Sequence, residues 1–199
     1  VVDEIVCRQA ELIEEIFPKM SRFMTGYNLA RVYSNDQRPV FNLNYLLAGS
    51  EGTLAVVHEA KLRLTPLPAF QELIVVKYES FDDALRAAGI LVQSDPTAIE
   101  TVDEKILGLA REDEIYHKVK DFVADEGSRP TRTINLVEFS GNAKSEVSAK
   151  VDQLALIIHE RKEISGEATG FYRTDIPEEI KDLWNLRKKG VGLLGNTKG

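Results

Sequence analysis

The sequence predicts an α+β protein built from two blocks, residues 1–68 and 69–199. Pro66 and Pro68 mark the boundary between them. In the second block, short β-type runs alternate with longer segments in which apolar residues recur with helical spacing. The composition agrees with a globular protein of one or two domains, since 43% of the 199 residues are hydrophobic and 29% are charged, as is usual in soluble globular proteins.

The first block begins with a predicted helix over residues 2–17, which Pro18 ends. Its apolar stripe has helical spacing and comprises Val2, Ile5, Val6, Leu12, Ile13 and Ile16. Cys7 lies within this helix, where we expect it to be a small core residue. A loop-rich stretch over residues 21–39 follows.

The Gly49 loop, residues 49–53, has the sequence Gly-Ser-Glu-Gly-Thr. Glycine lacks the Cβ that blocks close approach, so successive backbone N–H groups here can face an anion such as a cofactor phosphate. The alternative is an ordinary turn before a strand, and these residues alone favour that turn. Apolar residues of one parity then predict a strand or a strand pair before the prolines: Leu54, Val56, Leu62 and Leu64.

The second block contains two strand–helix–strand units with an insert between them. The predicted strands cover residues 73–78, 98–102, 133–139 and 167–173. The predicted helices cover residues 81–92, 103–109, 112–123 and 142–158. Ser80, with Asp83 three residues later, is a suitable cap for the first of these helices. This order of elements is typical of a ferredoxin-like α+β unit.

The last predicted helix carries an arginine on its apolar face. Asp175 as N-cap and Glu178 form a capping box at its start. The apolar face then contains Ile180, Leu183, Trp184, Val191 and Leu194. Arg187 lies on that face, and because an unpaired buried charge is unstable, its guanidinium must reach solvent or meet an anion. A carboxylate of this chain, such as Glu100 or Asp103, and a bound anionic ligand are both open at this point.

Three motifs of the first block resemble, in their order and spacing, the end of the FAD-binding domain of FAD-linked oxidases related to vanillyl-alcohol oxidase. They are Thr-Gly-Tyr-Asn-Leu at 25–29, Leu-Leu-Ala-Gly-Ser-Glu-Gly-Thr-Leu at 46–54 and Glu-Ala-Lys-Leu-Arg-Leu-Thr-Pro-Leu-Pro at 59–68. The chain is most similar to the branch of D-lactate, glycolate and D-2-hydroxyglutarate dehydrogenases, which includes large bacterial members with a downstream iron–sulfur domain. The resemblance is specific over residues 21–68 and looser beyond them.

This resemblance implies a division of the chain and an incomplete site. Residues 1–68 would be the C-terminal part of an FAD-binding domain. Residues 69–199 would be a truncated FAD-linked oxidase C-terminal domain, which caps the substrate. We expect a fragment that is inactive alone and contains no catalytic residue, with any metal ion or iron–sulfur cluster bound by residues outside this chain.

The family pattern also implies binding residues within the chain. Cofactor binding falls on Gly26, Tyr27, Gly49, Ser50, Glu51, Gly52, Thr53 and Val56. Leu-Trp-Asn-Leu-Arg at 183–187 matches the segment whose arginine binds the substrate carboxylate, so substrate binding falls on Arg187. Val191 departs from the D-2-hydroxyglutarate enzymes, which have a hydroxyl residue there, so the identity of the acid stays open.

Together these expectations describe one function. The parent enzyme would oxidise a small D-2-hydroxy acid of the D-lactate, glycolate or D-2-hydroxyglutarate type by hydride transfer to FAD. The alternative is a non-catalytic α+β module that binds a ligand or regulates, in which the Gly49 loop is only a turn and Arg187 only forms a salt bridge. The electron acceptor and the oligomeric state, with a homo-oligomer as one option, stay open.

Composition and residue spacing argue against several other classes of function. A net charge of −7 without clustered Lys and Arg argues against nucleic-acid binding. His58, His117 and His159 lack metal-site spacing, and a single cysteine excludes an internal disulfide and a multi-cysteine cluster in these residues. No apolar run approaches the roughly 18–20 residues of a membrane span. We therefore expect a cytoplasmic protein, with peripheral contact to the inner membrane still open.

Overall fold

The computed structural model describes residues 1–19, 26–33, 40–161, 164 and 166–195, apart from the side chains of Val191 and Leu193. The loop predicted over residues 21–39 therefore lies mostly outside the described residues, as does Thr25. The chain divides into two compact units, Val1–Leu64 and Thr65–Gly199, and each is described by itself.

Short helices and long irregular segments make up the first unit. Its helices are α1 (Val2–Arg8), α2 (Ala10–Ile16) and α3 (Asn44–Leu47), with a 3₁₀ turn at Leu29–Arg31. The prediction of one helix over residues 2–17 is wrong, because Gln9 leaves the helical conformation with φ −113° and ψ 20°. Ile13 is the buried residue of the predicted stripe. Short helices depend on such packing, and the rest of the stripe provides little of it.

The prediction of a strand or strand pair after the Gly49 loop is also wrong. Residues 54–68 have no regular secondary structure. The apolar side chains of the predicted strand are between 52% and 97% exposed: Leu54, Val56, Leu62 and Leu64. A strand needs a neighbour that accepts and donates backbone hydrogen bonds, and within the described residues no segment pairs with this one.

The second unit is built on an antiparallel sheet. Its strands are β1 (Phe70–Tyr78), β2 (Ala98–Val102), β3 (Thr133–Gly141) and β4 (Gly170–Thr174), arranged in the order β2-β3-β1-β4. The central strands β1 and β3 are apolar and are buried along most of their length on both faces. With one helix between β1 and β2 and another between β3 and β4, this order confirms the predicted α+β class and its ferredoxin-like arrangement.

Helices cover both faces of this sheet. In chain order they are α4 (Phe81–Gln93), α5 (Glu104–Ala110), α6 (Ile115–Val119), α7 (Lys144–Arg161) and α8 (Pro177–Gly195). Helices α4 and α7 pack on one face, and α5, α6 and α8 pack on the other. Because successive strand residues point to opposite faces, β1 supplies Ile74 and Val76 to the first core, and Leu73 and Val75 to the second.

The capping prediction is confirmed for α4 and wrong for α8. The Ser80 Oγ accepts a hydrogen bond from the Asp83 backbone N–H at 3.1 Å and donates one to Asp83 Oδ2 at 2.6 Å. Helix α8 begins at Pro177, a residue suited to the first helical position. Asp175 therefore lies before the helix, where its carboxylate accepts a hydrogen bond from Lys144 Nζ at 3.0 Å.

Two aspartates define the helices that follow β2. Asp103 is the N-cap of α5, since its Oδ1 accepts the Ile106 N–H at 2.8 Å. The helix predicted over residues 112–123 is shorter than expected, because Asp113 Oδ1 accepts the Ile115 N–H at 2.8 Å just where α6 begins.

Candidate functional site

The Gly49 loop forms a tight turn within the first unit. The Thr53 N–H donates to the Ser50 carbonyl at 2.9 Å, and the two residues between them have positive φ, 48° at Glu51 and 81° at Gly52. Positive φ at both central positions is the signature of a type I′ turn. Glycine takes up such a conformation without strain, whereas Glu51 occupies it as a non-glycine residue.

This loop lies directly against the segment that carries Gly26 and Tyr27. A Cβ added to Gly49 would lie 2.1 Å from the Gly26 carbonyl oxygen, so only glycine allows the two backbones to approach so closely. The Tyr27 and Thr53 hydroxyls are 2.8 Å apart and hydrogen-bonded. The structure therefore brings together the predicted cofactor-binding residues of both segments, while Val56 lies beyond them and is almost fully exposed.

Most backbone donors of the loop are already used. The N–H groups of Gly49 and Ser50 donate to the carbonyls of α3 residues Leu46 and Leu47, and that of Thr53 donates within the turn. In the part of the chain that the structure describes, the N–H groups of Glu51 and Gly52 have no acceptor. A Cβ on Gly52 or Gly26 would meet nothing within 4 Å. The loop thus offers an anion two backbone donors beside open space.

In the second unit, Arg187 of α8 meets Glu100 of β2. Arg187 Nε donates to Glu100 Oε2 at 3.2 Å, and Nη2 lies 3.1 Å from Oε2 and 3.3 Å from Oε1. The side chains are 41% and 40% exposed. Of the two partners open from the sequence, Glu100 is thus the one that pairs with Arg187, while Asp103 caps α5.

A second contact fixes α8 to the face of the sheet that carries Glu100. Trp184 Nε1 donates to Glu138 Oε2 on β3 at 3.0 Å. Glu138 pairs with Ala98 of β2, and Glu100 pairs with Leu136 of β3, so the two carboxylates lie on one face of neighbouring strands. Glu138 was not predicted from the sequence, although a polar residue at an alternate position of a predicted strand is a signal for such a contact.

Close packing between α5 and α8 sets the position of the helix. A Cβ on Gly190 would lie 2.8 Å from Ile106 Cγ2, so the glycine allows α8 to approach α5 one turn beyond Arg187. Lys189 Nζ lies 2.7 Å from Asp113 Oδ1 and lowers the pKa of that carboxyl, helped by the Ile115 N–H. Gly190 was also not predicted from the sequence.

One edge of the Arg187 guanidinium is open. Nε and Nη2 face Glu100, whereas among the described residues Nη1 has no hydrogen-bond partner. A guanidinium can bind one carboxylate through Nε and Nη2 and another through the Nη edge, because its donors are fixed in a planar fork. The arrangement can therefore hold a carboxylate ligand without first breaking the pair with Glu100.

The remaining candidates do not form a site. Across the described residues, no group of three or more His, Cys, Asp or Glu side chains is placed to hold a metal ion. His58 is exposed. Cys7 is exposed rather than buried as predicted, since α1 packs little of its surface, and its Sγ donates to Asp3 Oδ1 at 3.5 Å. None of the helices in the described segments has the length and apolarity needed to cross a membrane.

Comparisons with known proteins find relatives for nearly the whole chain. The sequence profile of the FAD linked oxidases, C-terminal domain, matches residues 67–199. D-2-hydroxyglutarate dehydrogenase of Pseudomonas putida is 45% identical over 196 residues, which is 98% of this chain and 19% of the relative. That of Escherichia coli is 41% identical over 197 residues, which is 97% of this chain and again 19% of the relative. The chain thus spans about a fifth of the length of these relatives.

More distant proteins also match a large part of this chain and a small part of their own length. The mitochondrial D-lactate dehydrogenase (cytochrome) 1 of Saccharomyces cerevisiae is 28% identical over 150 residues, which cover 74% of this chain and 23% of the relative. The solved structure of alkyldihydroxyacetonephosphate synthase superposes with a TM-score of 0.50 and 18% identity, over 78% of this chain and 29% of that one. At this identity the superposition shows a shared fold alone. The relatives confirm the predicted resemblance to the D-2-hydroxyglutarate, D-lactate and glycolate branch.

Proposed function

Because the chain belongs to the family of FAD linked oxidases, C-terminal domain, we propose that its parent enzyme is an FAD-dependent dehydrogenase of small D-2-hydroxy acids. D-2-hydroxyglutarate is the first substrate to test, since the relatives at 40–45% identity are named for it. D-lactate and glycolate are the next, because the names of more distant relatives include them.

The observation that carries this proposal is the open Nη1 edge of Arg187. A planar, permanently charged fork binds a carboxylate through two parallel hydrogen bonds, and these orient the acid as well as hold it. Trp184 and Gly190 keep α8 in place on either side of the arginine. In our proposal Arg187 therefore fixes the substrate by one carboxylate, and the group that takes the hydroxyl proton lies outside this chain.

The proposal assigns the two parts of the chain to different ligands. Residues 1–68 would be the C-terminal part of the FAD-binding domain, and residues 69–199 the substrate cap. The Gly49 loop fits a part of FAD, since Glu51 and Gly52 offer two backbone N–H groups and Gly26 and Gly52 leave open space beside them. When bound, FAD supplies the hydride acceptor. We place the parent enzyme in the cytoplasm and any metal ion or iron–sulfur cluster on residues outside this chain.

A second function is favoured by one observation. The ion pair with Glu100 balances the charge of Arg187 without any ligand, as expected of a non-catalytic α+β module that binds a ligand or regulates. The two functions differ in a simple property of the full-length protein. An FAD-dependent dehydrogenase is yellow, and its flavin absorption bleaches on addition of a D-2-hydroxy acid, whereas a module is colourless and cannot be reconstituted with FAD.

The decisive kinetic test replaces Arg187 in the full-length enzyme by alanine and, separately, by lysine. Loss of a charge-assisted, bidentate contact is worth about 2–5 kcal/mol, so kcat/KM for the acid should fall roughly 30- to 5,000-fold in Arg187→Ala with flavin content unchanged. Lysine keeps the charge but not the fork and should recover only part of the loss. Arg132→Ala is the control, since Arg132 pairs with Glu104 at 3.6 Å on the surface of the same unit. Unchanged kinetics in Arg187→Ala would refute the proposed role.

A further inference from the structure

We propose that Glu100 is a positioning residue, which holds the Nε and Nη2 edge of Arg187 so that the Nη1 edge receives the substrate carboxylate. This inference rests on the proposed function, because it assigns Glu100 a role through Arg187. It gives Glu100 of β2 a part in substrate binding, which the proposed function assigns to Arg187 of α8 alone.

The geometry of the pair supports an orienting role. Both carboxylate oxygens of Glu100 lie within 3.1–3.3 Å of the guanidinium, so the contact fixes the plane of the fork as well as the position of its charge. Nη1 points away from this contact and has no partner in the described parts of the chain. A free arginine samples many rotamers, and one that is ordered before binding loses less entropy when the ligand arrives.

Glu100 is itself held by rigid elements. Its strand β2 pairs with the central strand β3, where Leu136 is its partner in the register. Three residues later Asp103 caps α5, and α5 packs closely against α8 through Ile106 and Gly190. The carboxylate and the helix that carries the arginine are therefore fixed relative to each other by the sheet on one side and by α5 on the other.

The charge balance also favours this role over direct substrate binding. A carboxylate at position 100 repels the carboxylate of an acid substrate, so Glu100 does not bind the acid itself. It offsets part of the arginine's charge while leaving the Nη edge unoccupied. Removal of Glu100 should therefore leave a mobile arginine that still attracts acids but no longer presents its fork. Misplacement of such a group lowers kcat/KM by up to about 10²-fold.

The test is a double-mutant cycle in the full-length enzyme with Glu100→Ala, Arg187→Ala and both together. Glu100→Gln is the conservative variant, because it keeps one acceptor oxygen. Glu79→Ala is the matched control, since Glu79 also forms a part-exposed, hydrogen-bonded pair with an arginine, Arg129, in the same unit. Each variant is assayed with D-2-hydroxyglutarate and with its two monoamides, and flavin content and melting temperature are measured in parallel.

We expect Glu100→Ala to raise KM for the diacid about 10- to 100-fold, with a smaller change in kcat and unchanged flavin content. Glu100→Gln should recover part of this loss, and the double variant should be no worse than Arg187→Ala. The wild-type enzyme should discriminate against the monoamide that lacks the carboxylate bound by Arg187, and Glu100→Ala should lose that discrimination. Glu79→Ala should retain it.

Two kinds of failure can be told apart. If Arg187→Ala has wild-type kinetics, the proposed function of the arginine fails, and the role of Glu100 fails with it. If Arg187→Ala is impaired but Glu100→Ala is not, only the positioning role is overturned. An equal loss on the diacid and both monoamides in Glu100→Ala, or additive effects in the double variant, would also overturn it, since both indicate a general structural defect.

Discussion

An ion pair in the second unit, buried at its lysine and part-exposed at its glutamate, depends on a glycine of the edge strand. Lys77 Nζ lies 2.7 Å from Glu126 Oε1, and the lysine side chain is only 5% exposed against 39% for the glutamate. Gly170 is the partner of Lys77 in the β1–β4 register, and a Cβ there would lie 2.5 Å from Glu126 Cγ. We predict that Gly170→Ala pushes the carboxylate away and leaves Lys77 without its partner.

The expected loss follows from these exposures. Breaking a buried ion pair costs about 3–5 kcal/mol, and the lower end applies because Glu126 can regain water while Lys77 cannot. Replacing glycine in a strand offsets about 0.5–1 kcal/mol of this loss through the lower entropy of the unfolded chain. The net loss in the free energy of unfolding is then about 2–2.5 kcal/mol, or a shift of roughly 1 M in the urea midpoint.

The assay is urea unfolding of the 199-residue chain, followed by fluorescence of its single tryptophan, Trp184, which lies in the same unit. Gly89→Ala is the control, since Gly89 is an exposed residue within α4 and a Cβ there meets nothing within 4 Å. It should stabilise the chain by about 0.5–1 kcal/mol. A wild-type midpoint for Gly170→Ala, or an effect that adds fully to that of Glu126→Ala, would show that the Lys77–Glu126 pair does not depend on Gly170.

Three further variants test other contacts of the second unit by the same urea assay. Gly190→Ala should lose up to about 2 kcal/mol, since overpacking against Ile106 costs about 1–3 kcal/mol and helix propensity returns about 1. Adding Ile106→Ala to the same chain should make the combined loss less than additive. Ser80→Ala should lose about 1 kcal/mol because Asp83 loses its capping partner, and an unchanged midpoint would contradict the capping role. Burial raises the pKa of Tyr78 above its ordinary 10.0. The neutral Tyr78 hydroxyl therefore contributes its full share to the free energy of unfolding below about pH 10, and that share is lost as the pH rises through the folded-state pKa. Tyr78→Phe should therefore lose less stability than the wild type between about pH 9 and 11, and equal losses would contradict this assignment.

Local signals predicted the parts of the fold that depend on neighbouring residues. The α4 cap follows from Ser80 and Asp83 alone, and β2 over Ala98–Val102 agrees with its predicted bounds because turn residues flank a short β-type run. The strand over residues 54–64 failed for the opposite reason. Apolar side chains do recur there at positions of one parity, but a strand forms only when a second strand pairs with it.

In the candidate site, too, features set by neighbouring residues were predictable and features set by distant contacts were not. The helical position of Arg187 was predictable from spacing, but the choice between Glu100 and Asp103 was not. That choice depends on the register between β2 and β3 and on the rotation of α8 against the sheet, which arise from contacts far apart in sequence. For the same reason Glu138, the partner of Trp184, could not be assigned from the pattern of β3 alone.

Anaerobic reduction of the flavin in the full-length enzyme by D-2-hydroxyglutarate tests most directly whether Arg187 binds the acid of an FAD-dependent dehydrogenase. Our prediction is that the acid bleaches the wild-type flavin band, and that Arg187→Ala needs roughly 10²-fold more acid for the same rate although it binds equal flavin. A protein that cannot be loaded with FAD, or an Arg187→Ala variant that bleaches at the wild-type concentration of acid, would contradict it.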